Sequence, residues 1–275
     1  MIPVVVGSSP IGHPTNPSRS PRKWQQPEID CEGTPGAACR KLVNAALAQM
    51  AANVAGAIDG RDPEYLHQLR VGIRRLRAVL RVFRARKLDR RLRKLAQPLG
   101  AARDWDVFVA RFGKGRAQQH NARLRCRRVL ESAEFKAFFV DAQRLGWQAG
   151  EAPLAAFATG ALDRLHRRTL KRARKIDWHN ETRRHRVRIA VRQLRYACDF
   201  FSSCFDDSRR YLRGLADLQD LLGELNDIAV ARRLGAAKLE RRERALLSEL
   251  LPAWRAFEKR RRFWVDRGRP RAAAR

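Results

Sequence analysis

The stretch His67-Gln-Leu-Arg-Val-Gly-Ile-Arg-Arg-Leu-Arg77 returns 118 residues later as His185-Arg-Val-Arg-Ile-Ala-Val-Arg-Gln-Leu-Arg195, with the histidine, three arginines and every apolar position in register. A second pair follows at similar distance: Leu95-Ala-Gln-Pro-Leu-Gly-Ala-Ala-Arg-Asp104 matches Leu218-Gln-Asp-Leu-Leu-Gly-Glu-Leu-Asn-Asp227. The copies span at least two helices per half, and predict an all-α fold of two antiparallel helical bundles related by a pseudo-two-fold axis. Within the first copy Leu66, Leu69, Ile73, Leu76, Leu80 and Phe83 recur every three or four residues, the apolar face of one helix. Val187, Val191, Leu194, Cys198 and Phe201 repeat that face in the second half.

One residue beyond the apolar row, about 100° around the helix, runs a basic one: His67, Arg70, Arg74, Arg77, Arg81 and Arg84. Its counterpart is His185, Arg188, Arg192 and Arg195, with Asp199 where Arg81 stood. Charges about 6 Å apart along such a row repel by about 0.7 to 3 kcal/mol per neighbouring pair, so an anionic ligand is expected to relieve them. The only carboxylates near in sequence, Glu64 and Glu181, stand beside the histidines, where they are expected to orient the rings and favour imidazolium. Two such rows across a symmetry axis would enclose a basic groove or pore suited to a linear chain of anions. Arg164, Arg168, Lys171 and Lys175, spaced four-three-four on the preceding helix, are expected to border it; a plainly solvated face is the alternative.

Composition agrees with a polyanionic partner. The 275 residues carry 59 Lys and Arg against 28 Asp and Glu, a net charge of +31. At 44% hydrophobic residues the chain is too apolar to be a disordered basic tail, and no run is long enough to span a membrane. No secretory signal precedes the body, so the expected location is the cytoplasm, with no membrane association.

Breakers and caps divide the chain. Seven of the twelve prolines precede Gly36, marking residues 1–36 as a flexible leader, followed by a helical body over 37–267 with halves at about 37–150 and 151–267, and a basic tail over 268–275. Helices are expected over about 37–58, 62–86, 88–112 with a kink at Pro98, 116–147, 153–176, 181–205, 208–234 and 239–265.

Other chemistry is weakly represented. The five cysteines are odd in number without a Cys-x-x-Cys pair, and Cys198 and Cys204 read as small buried hydrophobes, so neither a disulfide framework nor a zinc knuckle is expected. Glu64-x-x-His67 has di-iron spacing, but arginines replace the neighbouring carboxylates, so no metal or other cofactor is expected. Phosphate-binding loop and nucleophile-elbow motifs are absent, and the stripes lack carboxylates to hold magnesium, so no catalysis is expected. His13, His120, His166 and His179 read as surface or loop residues. Trp105, Trp147, Trp178, Trp254 and Trp264 read as bundle anchors, and neither basic stripe contains a base-stacking aromatic.

The His67 to Arg77 segment, the Leu99-Gly-Ala-Ala-Arg-Asp104 turn, and their copies at His185 to Arg195 and Leu222-Gly-Glu-Leu-Asn-Asp227 resemble the CHAD family, the conserved histidine α-helical domain, over about residues 37–265. The resemblance implies two helical bundles around a basic central channel that binds inorganic polyphosphate, without turnover of its own. By position it places His67, Arg70, Arg74 and Arg77 with His185, Arg188, Arg192 and Arg195 in that channel, and matches Arg103, Asp104, Asn226 and Asp227 to a second motif. No Glu-x-Glu-x-Lys triphosphatase signature occurs, so the chain looks like a stand-alone member, with association with polyphosphate granules and their proteins implied. Two other readings stand beside it. A charge of +31 attracts nucleic acid whatever the fold, and the Lys259 to Arg262 run reads as a solvated helix end, with docking to an acidic partner or surface on storage granules as the alternative.

Overall fold

The computed structural model describes residues 20–146 and 152–265, and the regular elements among them are all helical. In chain order they are α1 (Pro35–Asp59), α2 (Pro63–Val82), α3 (Arg86–Phe112), α4 (Arg116–Glu131), α5 (Ala133–Gln143), α6 (Leu154–Ala173), α7 (Glu181–Phe201), α8 (Ser208–Arg233) and α9 (Glu240–Glu258), with a 3₁₀ turn at Ser202–Cys204 after α7. Side chains start several of them: Thr34 Oγ1 accepts the Ala37 N–H, Asp62 Oδ1 the Glu64 N–H and Asn180 Oδ1 the Arg183 N–H, each satisfying a first-turn donor. Gly60 ends α1 in the left-handed region at φ 75°, where a side chain would be strained.

Helices α1 to α5 pack on one another, as do α6 to α9, and α2 meets α7 between the two groups. The apolar rows read from the sequence are buried throughout, from Leu66 to Phe83 on α2 and from Val187 to Phe201 on α7. Each such leucine or phenylalanine contributes about 1.5 to 3 kcal/mol. Gly72 lets α1 approach α2 closely, since a Cβ there would stand 2.9 Å from Met50 Cγ. No helix among the described residues is long and apolar enough to cross a membrane.

Several boundaries differ from expectation. α2 stops at Val82, not near Arg86, because Phe83 turns into the core against Phe157 and Phe201 and Arg84 adopts a left-handed φ of 58°. The region from Arg116 is two helices: Ser132 donates to Val129 O at 2.7 Å, closing α4, and accepts the Phe135 N–H at 3.1 Å, opening α5. α3 continues as helix through Pro98. Trp147 and the tail after Gly268 lie outside the described residues.

The leader, expected to be flexible, is docked from residue 20 onward. Buried Asn53 grips it at Arg22, accepting the N–H at 3.1 Å and donating to the carbonyl at 2.9 Å. Ile29 is buried, and Gly33 O accepts the Leu154 N–H at the start of α6. Cys31 is disulfide-bonded to Cys204, which corrects the reading of Cys204 as a plain hydrophobe: residues 173 apart cannot be paired from spacing alone. Cys39, Cys126 and Cys198 are buried free thiols. His166 is likewise no surface residue, lying buried with Nδ1 2.8 Å from Tyr211 Oη and ringed by Phe257 and Trp264. The Lys259 to Arg262 run, expected as a solvated helix end with docking as the alternative, is partly folded in: Arg260 donates to Arg210 O and Arg262 pairs with Asp163 at 3.0 Å.

Candidate functional site

Helices α2, α3, α6, α7 and α8 line an open-sided cavity of about 1740 Å³. Sixteen arginines and five carboxylates line it, and among the described residues no lysine does, although the chain has ten. This selection matters chemically. A guanidinium offers paired donors in the geometry of two phosphate oxygens and keeps its proton among like charges, where an ammonium would lose it.

The centre is formed by Arg70 and Arg74 of α2 with Arg188 and Arg192 of α7, placed there by the apolar rows that fix each helix's rotation. None of the four makes a hydrogen bond or ion pair among the described residues, and the Nε atoms of Arg74 and Arg188 are buried without a partner. Burial is the main cause that lowers Arg70, to about 10, and Arg192, where Arg188 and Arg74 push the same way. Arg70 and Arg192 nonetheless stay charged near neutrality. Four desolvated cations facing one space are costly unless an anion joins them. Asp104 supplies a weak counter-charge: burial raises its pKa, against the pull of Arg70 and Arg233, while Asp227 adds to the rise.

Further along α2 the repulsion is relieved by an acid that sequence reasoning missed. Asp89 of α3 accepts from Arg77 Nε at 2.8 Å and Arg81 Nε at 2.9 Å, one oxygen each. The histidines also differ from expectation. Burial and then Arg103 lower the pKa of His67, outweighing Glu64, whose carboxylate accepts from Gln68 at 2.7 Å. His185 Nδ1 lies 2.9 Å from Asn226 Oδ1, while Glu181 pairs with Arg232 at 2.5 Å.

Of the sequence-derived site residues, His67, Arg70, Arg74, Arg77, Arg81, Arg164, Arg168, His185, Arg188 and Arg192 line the cavity. Arg195, Lys171 and Lys175 do not. Arg195 sits at the edge of the α7 face, near Asp199 and Arg75, and the lining continues on the other side through Ile189, Gln193 and Tyr196. On α6 the lining turns from Arg168 to Arg172, leaving Lys171 exposed, and Lys175 lies beyond the helix end with φ 52°. Arg103, Asp104, Asn226 and Asp227 all line the cavity. So do Arg86, Arg90, Arg93 and Arg111 of α3 and Arg233 of α8, which the sequence reading passed over. The signal was there: 86, 90, 93, 97, 100, 104, 107 and 111 keep one face of α3 by alternating steps of four and three. Among the described residues no cluster of three or more His, Cys, Asp or Glu could hold a metal ion.

The fold has solved relatives. The crystal structure of the CHAD domain from the plant Ricinus communis matches with a TM-score of 0.68 and 28% identity, covering 87% of this chain and 93% of that one. PptA from Streptomyces chartreusis matches with a TM-score of 0.59 at 15% identity, covering 82% and 98%, a likeness of fold. No curated protein sequence matches. The CHAD domain family model matches residues 41–236, which take in α2, α3, α6, α7 and α8, the five helices that build the cavity, and the chain therefore belongs to the CHAD domain family.

Proposed function

We propose that the cavity binds inorganic polyphosphate, as a module that holds the chain and does not cleave it. The observation that carries this reading is the convergence of Arg70, Arg74, Arg188 and Arg192 without a hydrogen-bonded anion among them. A polyphosphate chain brings one charge per phosphate and non-bridging oxygens in pairs, the complement of successive guanidinium forks. The CHAD domain family is associated with polyphosphate binding, which supports the same ligand. The internal repeat of the sequence supports a pseudo-symmetric site in which α2 and α7 grip one chain from two sides. Association with cytoplasmic polyphosphate granules and their proteins follows as the cellular role, and nucleic acid is a weak electrostatic competitor at the surface.

A competition titration tests this at about 150 mM salt, displacing labelled long-chain polyphosphate with unlabelled polyphosphate, duplex DNA, single-stranded RNA and ATP. Polyphosphate should compete at the lowest concentration, and Arg70→Ala/Arg188→Ala should abolish binding. Equal competition by DNA with little effect of the double substitution would replace the reading with diffuse electrostatics.

A further inference from the structure

We propose that the Cys31–Cys204 bond is a redox-cleavable latch, modified at Cys31, which holds the strap of residues 20–34 across the contact between α2 and α7. The two residues are 173 apart in sequence with Cα atoms 5.2 Å apart, so the bond joins the N-terminal strap to the turn that follows α7. Cys31 is half-buried and Cys204 buried, which makes Cys31 the more accessible partner of the bond. The other three cysteines are buried within 2% of full enclosure, and burial raises the Cys39 and Cys126 thiols to about 12, so they are spectators.

Without the bond the strap's anchorage is thin. Ile29 is its one buried side chain. Its other contacts include the Asn53 grip on Arg22, Lys41 Nζ donating to the Glu28 carbonyl at 3.1 Å, the Gly33 carbonyl on α6, and Trp24, whose ring lies 4.6 Å from the Arg75 guanidinium and 6.3 Å from the Phe200 ring. Arg75 is sandwiched, with Tyr196 of α7 4.9 Å away, and its Nε and Nη1 are buried without hydrogen-bond partners. The strap therefore closes a stack that runs from Trp24 through α2 to α7. Arg75 is the immediate neighbour of Arg74, one of the four central arginines of the cavity.

The cleaving reagent is a dithiol. One thiolate attacks Cys31 Sγ, the S–S bond breaks, and Cys204 leaves as a thiolate and takes a proton. The second thiol of the reagent then displaces Cys31 from the mixed disulfide, giving two protein thiols and one oxidised reagent; a low-molecular-weight disulfide drives the reverse. Release of the strap exposes Arg75 to water and loosens the α2–α7 pair, which couples the latch to the cavity; this coupling alone rests on the polyphosphate reading.

The test uses the full chain equilibrated with oxidised glutathione and, separately, with a dithiol. Thiols counted in denaturant should be three and then five. Trypsin should cleave after Arg22 and Lys23 about tenfold faster in the reduced form, and Tm should fall by about 5 to 10 °C. Cys31→Ser should match the reduced form and ignore the reagent. Five thiols in the oxidised sample, or equal cleavage in both, overturns the latch. Long-chain polyphosphate should bind about threefold or more weakly to the reduced form, and equal affinity overturns the coupling. Absence of polyphosphate binding in both forms counts against the cavity's ligand, while thiol count and trypsin still decide the latch.

Discussion

Gly100 of α3 lies against the guanidinium of Arg70 of α2: a Cβ on Gly100 would come within 2.8 Å of Arg70 Nη1. Gly223, its counterpart in the sequence repeat, meets nothing beyond its own helix backbone within 4 Å of where its Cβ would be. The glycine of the first copy makes room for a cavity arginine, and that of the second does not.

Alanine at the two positions should therefore part company. Both gain helix propensity, about 0.5 to 1 kcal/mol, so Gly223→Ala should raise Tm by about 2 °C and leave polyphosphate affinity within twofold. Gly100→Ala must push the tip of Arg70 aside, which a flexible guanidinium does cheaply, so the fold survives while affinity falls about three- to tenfold. Thermal melts with the titration decide it; equal affinities for the two variants would show that Arg70 does not touch the ligand.

Asp89 holds both Arg77 and Arg81, and its carboxylate is 17% exposed. Asp89→Asn should cost about 1 to 2 kcal/mol, because two guanidinium groups lose their anion, and should also free both for phosphate. The expected signature is a lower Tm in buffer that polyphosphate restores more fully than in wild type. A variant that is destabilised and binds no better would show that Asp89 is only a strut.

The fold was legible because two periods coincide: the three-four apolar rows fixed which face of α2 and α7 is buried, and the repeat fixed that both exist. The cavity was legible as far as residues one step round from those rows. Arg195, Lys171 and Lys175 misled because a stripe marks a helix face, while the cavity wall is set by where neighbouring helices stop covering it. On α7 that boundary falls between Arg192 and Arg195 and swings to Tyr196; on α6 it swings to Arg172. Asp89 and the disulfide were invisible because each joins segments whose approach is a product of packing. His166 was misjudged as a lone histidine, since only the fold supplies Tyr211, Phe257 and Trp264 around it.

His166 gives the acid limb of stability. Burial, with a smaller push from Arg262, lowers its pKa to about 4, against the usual value near 6.5. The folded state therefore binds fewer protons than the unfolded one between about pH 6.5 and 4, and stability present above that window is lost as pH falls through it, by about 2 to 3 kcal/mol. Half-buried His67 adds to the loss, while Asp104 and Asp199, raised by burial, oppose it. Comparing chemical denaturation of wild type and His166→Phe at pH 7 and pH 4.5 isolates the histidine: the variant should lose less on acidification. Parallel losses would assign the acid limb to other groups.

Salt dependence separates a site from a charged surface, because each phosphate neutralised releases counterions and steepens the fall of log affinity with log salt. Arg74 and Lys171 each carry one charge, but Arg74 faces the cavity centre with a buried, unpartnered Nε and Lys171 is exposed outside it. Arg74→Ala should lower the slope for long-chain polyphosphate by about one and weaken binding about tenfold, whereas Lys171→Ala should change neither. The two variants have the same net charge, so attraction by the +31 chain as a whole would weaken both alike. Matching losses at Lys171 and Arg74 would mean that the ligand reads the protein's charge and not its cavity; a loss confined to Arg74 would place the phosphate chain where α2 and α7 bring four arginines together.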